Sequence, residues 1–297
     1  MSTAPRIFDR ALYRARRTRG ARMTADRFLV SEAAVGLAER LGTVQRRFRR
    51  GLELSARPES IAPLVPFADY WTRTQPTLAD DADAVVDEEV LPFAAESFDL
   101  VVSVLSLHAV NDLPGALIQI RRVLKPDGMF LAALFGGETL HELREAFAVA
   151  EAQTRGGAAP RVAPFADVRA LGSLLQRAGF LLPVADSERT TVNYREFKTL
   201  VSDLRAMGET NALAERERGP LDRAVLAAAI ASYEARHGDA RGRLPATFDI
   251  IYLTGWAPHE TQPKPLRPGS TKPRQADALG TEGRKTSKRT RPTHRNS

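Results

Sequence analysis

The feature that most constrains the fold is the stretch Val85–Leu143, and within it the run Phe98–Leu107 (F-D-L-V-V-S-V-L-S-L). It is almost wholly apolar, rich in β-branched residues and bounded by polar ones. A strand with one wet face alternates apolar and polar residues, whereas a continuous run of this length describes a strand covered on both faces. Pro114–Leu124 follows with Leu117, Ile120, Val123 and Leu124 at helical spacing. Lys125-Pro126-Asp127-Gly128 supplies a turn, Met129–Phe135 a second buried strand, and Thr139–Ala152 a helix. Strands alternating with helices in this way predict a parallel, doubly wound α/β sheet.

The flanks extend the pattern. Upstream, Gly51–Leu54, Tyr70–Thr74 and Asp83–Val86 read as short strands, with a weak helix over Ser60–Ala68. Downstream, Phe165–Ala178 reads as a helix closed by Gly179, a suitable residue just past a helix end. Leu181–Tyr194 and Thr247–Trp256 read as strands, and Arg195–Gly208 and Leu221–His237 as helices between them. The expected organisation is a basic helical extension over 1–50, an α/β domain over 51–258 with a helical insertion at about 195–240, and a disordered basic tail over 259–297, where hardly an apolar residue is left to offset the entropy of ordering.

Charge divides the same way. The net charge of +7 is the sum of +9 in residues 1–50, +8 in 261–297 and −10 between them. The body is therefore acidic, the opposite of a nucleic-acid-binding core, and the tail is either solvated or touches acidic surfaces. With no cysteine in the chain, disulfides, thiolate metal sites and a cysteine nucleophile are excluded. No run of about twenty apolar residues is present, and the Arg-rich N-terminus lacks the apolar core of a secretory signal. The five histidines form neither H-E-x-x-H nor a facial-triad start, so no metal site is expected.

Four segments are more specific than periodicity: D-E-E-V-L-P-F (Asp87–Phe93), S-F-D-L-V-V-S-V-L-S-L-H-A-V-N-D-L-P (Ser97–Pro114), L-K-P-D-G-M-F (Leu124–Phe130) and F-G-G-E-T-L-H-E-L-R (Phe135–Arg144). The first and third resemble the seven-stranded S-adenosylmethionine-dependent methyltransferases, including the malonyl-carrier-protein methyltransferases of biotin synthesis. The second and fourth resemble one branch, the respiratory complex I assembly factors described as protein-arginine hydroxylases and their bacterial relatives. F-D-R-A-L-Y-R-A-R-R (Phe8–Arg17), G-G-A-A-P-R-V-A-P-F (Gly156–Phe165), M-G-E-T-N (Met207–Asn211) and P-A-T-F-D-I-I-Y-L-T-G-W (Pro245–Trp256) are similar to the same branch. The resemblance spans about residues 8–260 and implies a Rossmann-like seven-stranded sheet with helical additions. Because its block starts at Phe8, it also implies a bacterial, cytoplasmic protein, peripheral at the inner membrane at most, rather than one with a mitochondrial presequence.

The resemblance places a cofactor, S-adenosylmethionine, beyond the C-terminal ends of the strands. The superfamily turn after strand one, D/E-x-G-x-G-x-G, keeps side chains away from the ligand. Here it reads Glu53-Leu54-Ser55-Ala56-Arg57-Pro58-Glu59: the acid stands and all three glycines are replaced. The acid expected after strand two is missing from Tyr70–Gln75, and the one after strand three is Asp87, beside Glu88. The resemblance thus assigns Glu53, Ser55, Asp87, Glu88 and Ser106 to cofactor binding, with cofactor retention in question. It assigns His108, Asn111 and Asp112, which follow strand four, to catalysis, His108 as a general base. Gly136 and Gly137 would allow a ligand near the backbone, and Glu138 and Glu142 an attraction for a cationic substrate. Two functions remain open: a transferase of the methyltransferase class acting on a protein substrate such as a complex I subunit, by methylation or hydroxylation, or a catalytically silent assembly protein with a degenerate cofactor site.

Overall fold

In a computed structural model of the chain, residues 6–78, 82–157 and 159–262 are described. Seven strands form one sheet: β1 (Phe48–Leu54), β2 (Ala68–Gln75), β3 (Ala84–Val85), β4 (Phe98–Val104), β5 (Leu124–Phe135), β6 (Leu181–Tyr194) and β7 (Leu244–Trp256). Their order across the sheet is β3-β2-β1-β4-β5-β7-β6. The first five run parallel, while β7 is antiparallel to both β5 and β6. The sheet is therefore mixed rather than wholly parallel. Strand β7 enters between β5 and β6 after α7 (Phe197–Met207) and α8 (Arg223–His237) and runs opposite to both neighbours.

The unbroken apolar runs are explained by covering on both faces. Met129, Leu131, Ala133 and Phe135 of β5 enter one core cluster and Phe130, Ala132 and Leu134 the other. The first core is closed by α2 (Phe28–Gly42), α5 (His141–Arg155), α7 (Phe197–Met207) and α8 (Arg223–His237). The second is closed by α4 (Leu113–Val123) and α6 (Val168–Arg177). Each helix presents an apolar stripe, such as Ala116, Leu117, Ile120 and Val123 of α4.

Three local expectations shift. The Lys125–Gly128 turn is absorbed into β5 as a kink with Asp127 in the left-handed region (φ 60°). The helix foreseen over Ser60–Ala68 is reduced to α3 (Pro58–Ile61) and a 3-10 turn at Val65–Phe67. The boundary at residue 50 is not a structural one. Strand β1 begins at Phe48, and Leu29, Val30, Ala33, Ala34, Leu37 and Leu41 of α2 belong to the same core as β4 and β5. The described residues from 6 through Glu260 form one compact unit. From residue 263 onward the expected tail lies outside the described residues.

The N-terminal helix α1 (Arg10–Ala21) crosses the C-terminal ends of the strands and packs on α7. The two backbones touch at Gly20. A Cβ there would stand 2.5 Å from both the Arg205 and Ala206 carbonyl oxygens. Backbone atoms cannot rotate away as a side chain can, so Gly20→Ala should destabilise the protein by about 1–3 kcal/mol. The urea midpoint of the variant reads this directly, and an unchanged midpoint would mean that α1 is not seated on α7.

Candidate functional site

The site begins with the turn after β1. Ser55 adopts a left-handed conformation (φ 58°), which a residue with a Cβ enters only at a cost. Its backbone carbonyl accepts a hydrogen bond from Arg17 Nη2 of α1 (2.9 Å), and the carbonyl of Ala56 a longer one (3.5 Å). Its hydroxyl donates to the Glu88 carboxylate. Arg57 points inward: its Nη2 donates to the Leu105 carbonyl (3.0 Å) and to Glu209 (3.1 Å). Glu59 turns the other way and pairs with Arg27 (2.7 Å). Of the two long side chains that replace turn glycines, one fills the interior and one leaves it.

The acids assigned to a cofactor are engaged by the chain itself. Glu53, fully buried, accepts from the Ser60 hydroxyl and from Arg73 Nε (2.9 Å). Arg73 thus brings a cation to the end of β2, where the resemblance expected an acid. Asp87 pairs with Arg10 (3.0 Å) and Arg14, and Glu88 with Arg10. Burial would raise the Asp87 pKa, but the Glu89 N–H and the Arg10 and Arg14 charges outweigh it and hold it below the usual range. Ser106 is buried and its hydroxyl meets that of Ser103 (2.8 Å).

Beyond β4, His108 lines a cavity. Asn111 is tied to the N-terminal segment: its side-chain oxygen accepts from the Phe8 N–H (2.7 Å) and its amide donates to the Phe8 carbonyl (3.2 Å). Asp112 caps α4, accepting from the Gly115 N–H (2.8 Å). Both side chains are engaged in structural contacts. So is that of Glu142, which accepts from the Thr247 N–H (3.1 Å) and fastens α5 to β7. Gly136 lies against Asp249, whose Oδ2 would be 2.4 Å from an added Cβ, so its lack of a side chain serves packing.

His108 Nε2 contacts Glu209 (3.1 Å), and Glu209 also meets Arg57 and the Tyr13 hydroxyl (3.3 Å). Burial alone would raise the Glu209 pKa, but the His108 ring and then Arg57 hold it down at about 2. Burial, with Glu209 adding to it, pushes the Tyr13 phenol up to about 12, so it stays a neutral donor. The His108 ring packs on Phe135 and Phe165, with centroids at 4.9 and 5.5 Å. The cavity beside it, about 160 Å3, is walled mainly by apolar side chains including Phe8, Leu143 and Phe248. The arrangement can orient an imidazole and grip an apolar side chain. Among the described residues no group of three or more His, Asp or Glu stands close enough to hold a metal ion.

Arg10, Tyr13, Arg17, Arg57 and Glu209 were not among the site residues read from sequence. The signal of Arg10, Tyr13, Arg17 and Glu209 was present in F-D-R-A-L-Y-R-A-R-R and M-G-E-T-N, two motifs noted for resemblance alone, and that of Arg57 in the altered turn Glu53–Glu59. What was missing was their meeting point.

Comparison with known proteins places this geometry. A family model described as a methyltransferase domain matches residues 70–132, beginning after β1 and its altered turn. Over 91% of its length the chain is 38% identical to the mitochondrial arginine-hydroxylase NDUFAF5 of Danio rerio, covering 89% of that protein. It is 40% identical to the human arginine-hydroxylase NDUFAF5, covering 83%. It is also 37% identical, over 58% of the chain and 57% of the relative, to a malonyl-[acyl-carrier protein] O-methyltransferase of Gallionella capsiferriformans. Among solved structures, the YcgJ protein of Bacillus subtilis superposes with a TM-score of 0.51 at 14% identity, over 77% of this chain and 99% of that one, a likeness of fold alone.

Proposed function

The chain belongs to the arginine-hydroxylase NDUFAF5 family, built on the methyltransferase fold, and from that premise we propose that it is a protein-binding factor of respiratory complex I assembly that transfers no methyl group. The observation that carries the reading is the self-engaged turn after β1, where Arg17 covers the Ser55 and Ala56 carbonyls and Arg57 is buried against Leu105 and Glu209. The residues present do not fit S-adenosylmethionine. Its sulfonium is a cation, and it would lie beside buried guanidinium groups in a site of low dielectric, where like charges repel strongly. The turn acid Glu53 is paired with Arg73, Asp87 and Glu88 are paired with Arg10, and the acid expected after β2 for the ribose is missing.

The binding half of the reading draws on the apolar cavity beside His108, a suitable seat for a side chain of a complex I subunit. Isothermal titration of the full chain with S-adenosylmethionine should show no binding heat at millimolar cofactor, and saturable binding would overturn the reading. A second reading, hydroxylation of a protein arginine, draws on the relatives' activity and on the imidazole held by Glu209 in apolar surroundings. Mass spectrometry of a complex I subunit incubated with the protein separates the two. One added oxygen supports hydroxylation, and an unchanged mass in a stable complex supports binding.

A further inference from the structure

Two guanidinium nitrogens at the head of the sheet are enclosed without partners. Nη1 of Arg17 and Nη1 of Arg57 are buried and make no hydrogen bond among the described residues. Their side chains belong to residues only 9% and 5% exposed. The second nitrogen of each is engaged, Arg17 on the Ser55 and Ala56 carbonyls and Arg57 on Leu105 and Glu209. Both residues line one cavity of about 290 Å3 beyond β1 and β2, and Arg22 and Arg27 line it too. Arg27 is matched by Glu59, and among the described residues no carboxylate lines the cavity. The Thr18 and Thr77 hydroxyls complete a polar wall.

A buried cationic donor without an acceptor is costly, and two side by side more so. The strain shows at Arg17, whose pKa is lowered first by burial and then by the charge of Arg57. An anion within reach of both would relieve the repulsion and fill both missing hydrogen bonds. Guanidinium groups suit phosphate, whose several oxygens accept from more than one donor at once. The volume lies near the lower end of small-molecule pockets, roughly 300–1,000 Å3, and suits a small phosphate ester better than a dinucleotide. We propose that this cavity, beside Ser55 and Ala56, is a binding site for a phosphate-bearing small molecule whose anion is held by Arg17 and Arg57.

The site is independent of the binding-protein reading, because it predicts a ligand where that reading predicts only the absence of one. The test is calorimetric titration of the full chain with adenosine monophosphate, inorganic phosphate, adenosine, malonate and S-adenosylmethionine. The two phosphate probes should bind and adenosine should not. Arg17→Gln should weaken phosphate binding by roughly tenfold or more, as expected for loss of a charge-assisted hydrogen bond. Arg22→Gln, an exposed change at the rim that spares the fold, should weaken it several-fold and reduce its salt dependence. Failure of both phosphate probes at millimolar concentration overturns the proposal, as does binding unchanged in the two variants. Malonate binding as tightly as phosphate would make this a carboxylate site and also overturns it. Saturable S-adenosylmethionine binding with silent phosphate probes defeats both this site and the binding-protein reading. Binding of both ligand types defeats that reading alone.

Discussion

Glu209→Ala should lower stability by about 3–5 kcal/mol, the range for removing one partner of a buried ion pair. The carboxylate touches Arg57, His108 and Tyr13 at once. Without it, Arg57 remains buried beside Arg17 and loses the carboxylate with which it is paired. The effect should fade in acid, and the sign follows from the depressed pKa. Held at about 2 against an ordinary 4.5, this carboxyl contributes stability in full above about pH 4.5. The contribution is lost as pH falls toward 2 and the folded protein takes up the proton. Urea midpoints of wild type and variant should therefore differ widely at neutral pH and draw together as the pH approaches 2. Equal midpoints at pH 7 would show that the Glu209 cluster is not formed.

Arg10→Ala should rank second, again at about 3–5 kcal/mol. Glu88 is buried with its side chain 1% exposed, and among the described residues it pairs with the Arg10 cation and accepts from the Ser55 hydroxyl. Arg14→Ala is the control, because Arg14 and Asp87 are both about 30% exposed and exposed pairs contribute roughly 0–1 kcal/mol. Loss of Arg10 should also loosen α1 from the head of the sheet, so limited trypsin digestion should cut within Arg10–Ala21 faster in Arg10→Ala than in Arg14→Ala. Equal rates and equal midpoints would refute the role given to Arg10. Arg10→Met/Glu88→Met, which replaces the pair with apolar groups, should recover much of the loss.

Both effects fall on contacts between segments far apart in the chain, and this explains which parts of the site were legible. Buried strands announce themselves within a few residues, as Met129–Phe135 does between its two cores, whereas the equally local Asp112 cap on Gly115 was read as a catalytic residue instead. His108 was legible because it follows a recognisable strand. The contact that Asn111, in the same motif, makes was not legible, because its partner is the backbone of Phe8, more than a hundred residues away. The loss of turn glycines was also legible, but its consequence was not. Arg57 and Glu59 read alike in sequence, and only the fold sends one inward to Glu209 and the other outward to Arg27.

The sequence by itself determined the sheet and the family. Apolar periodicity depends on which faces of an element are covered, a property carried by neighbours along the chain, and the stretch Val85–Leu143 records it clearly. The tertiary structure alone decided what occupies the head of the sheet. Ion pairs and buried donors depend on distance in space, and α1 and the Met207–Asn211 segment reach the turn after β1 only once the sheet has formed. Their arrival turned a place read as a cofactor site into one held by the chain's own arginines, with two of their nitrogens still lacking an acceptor.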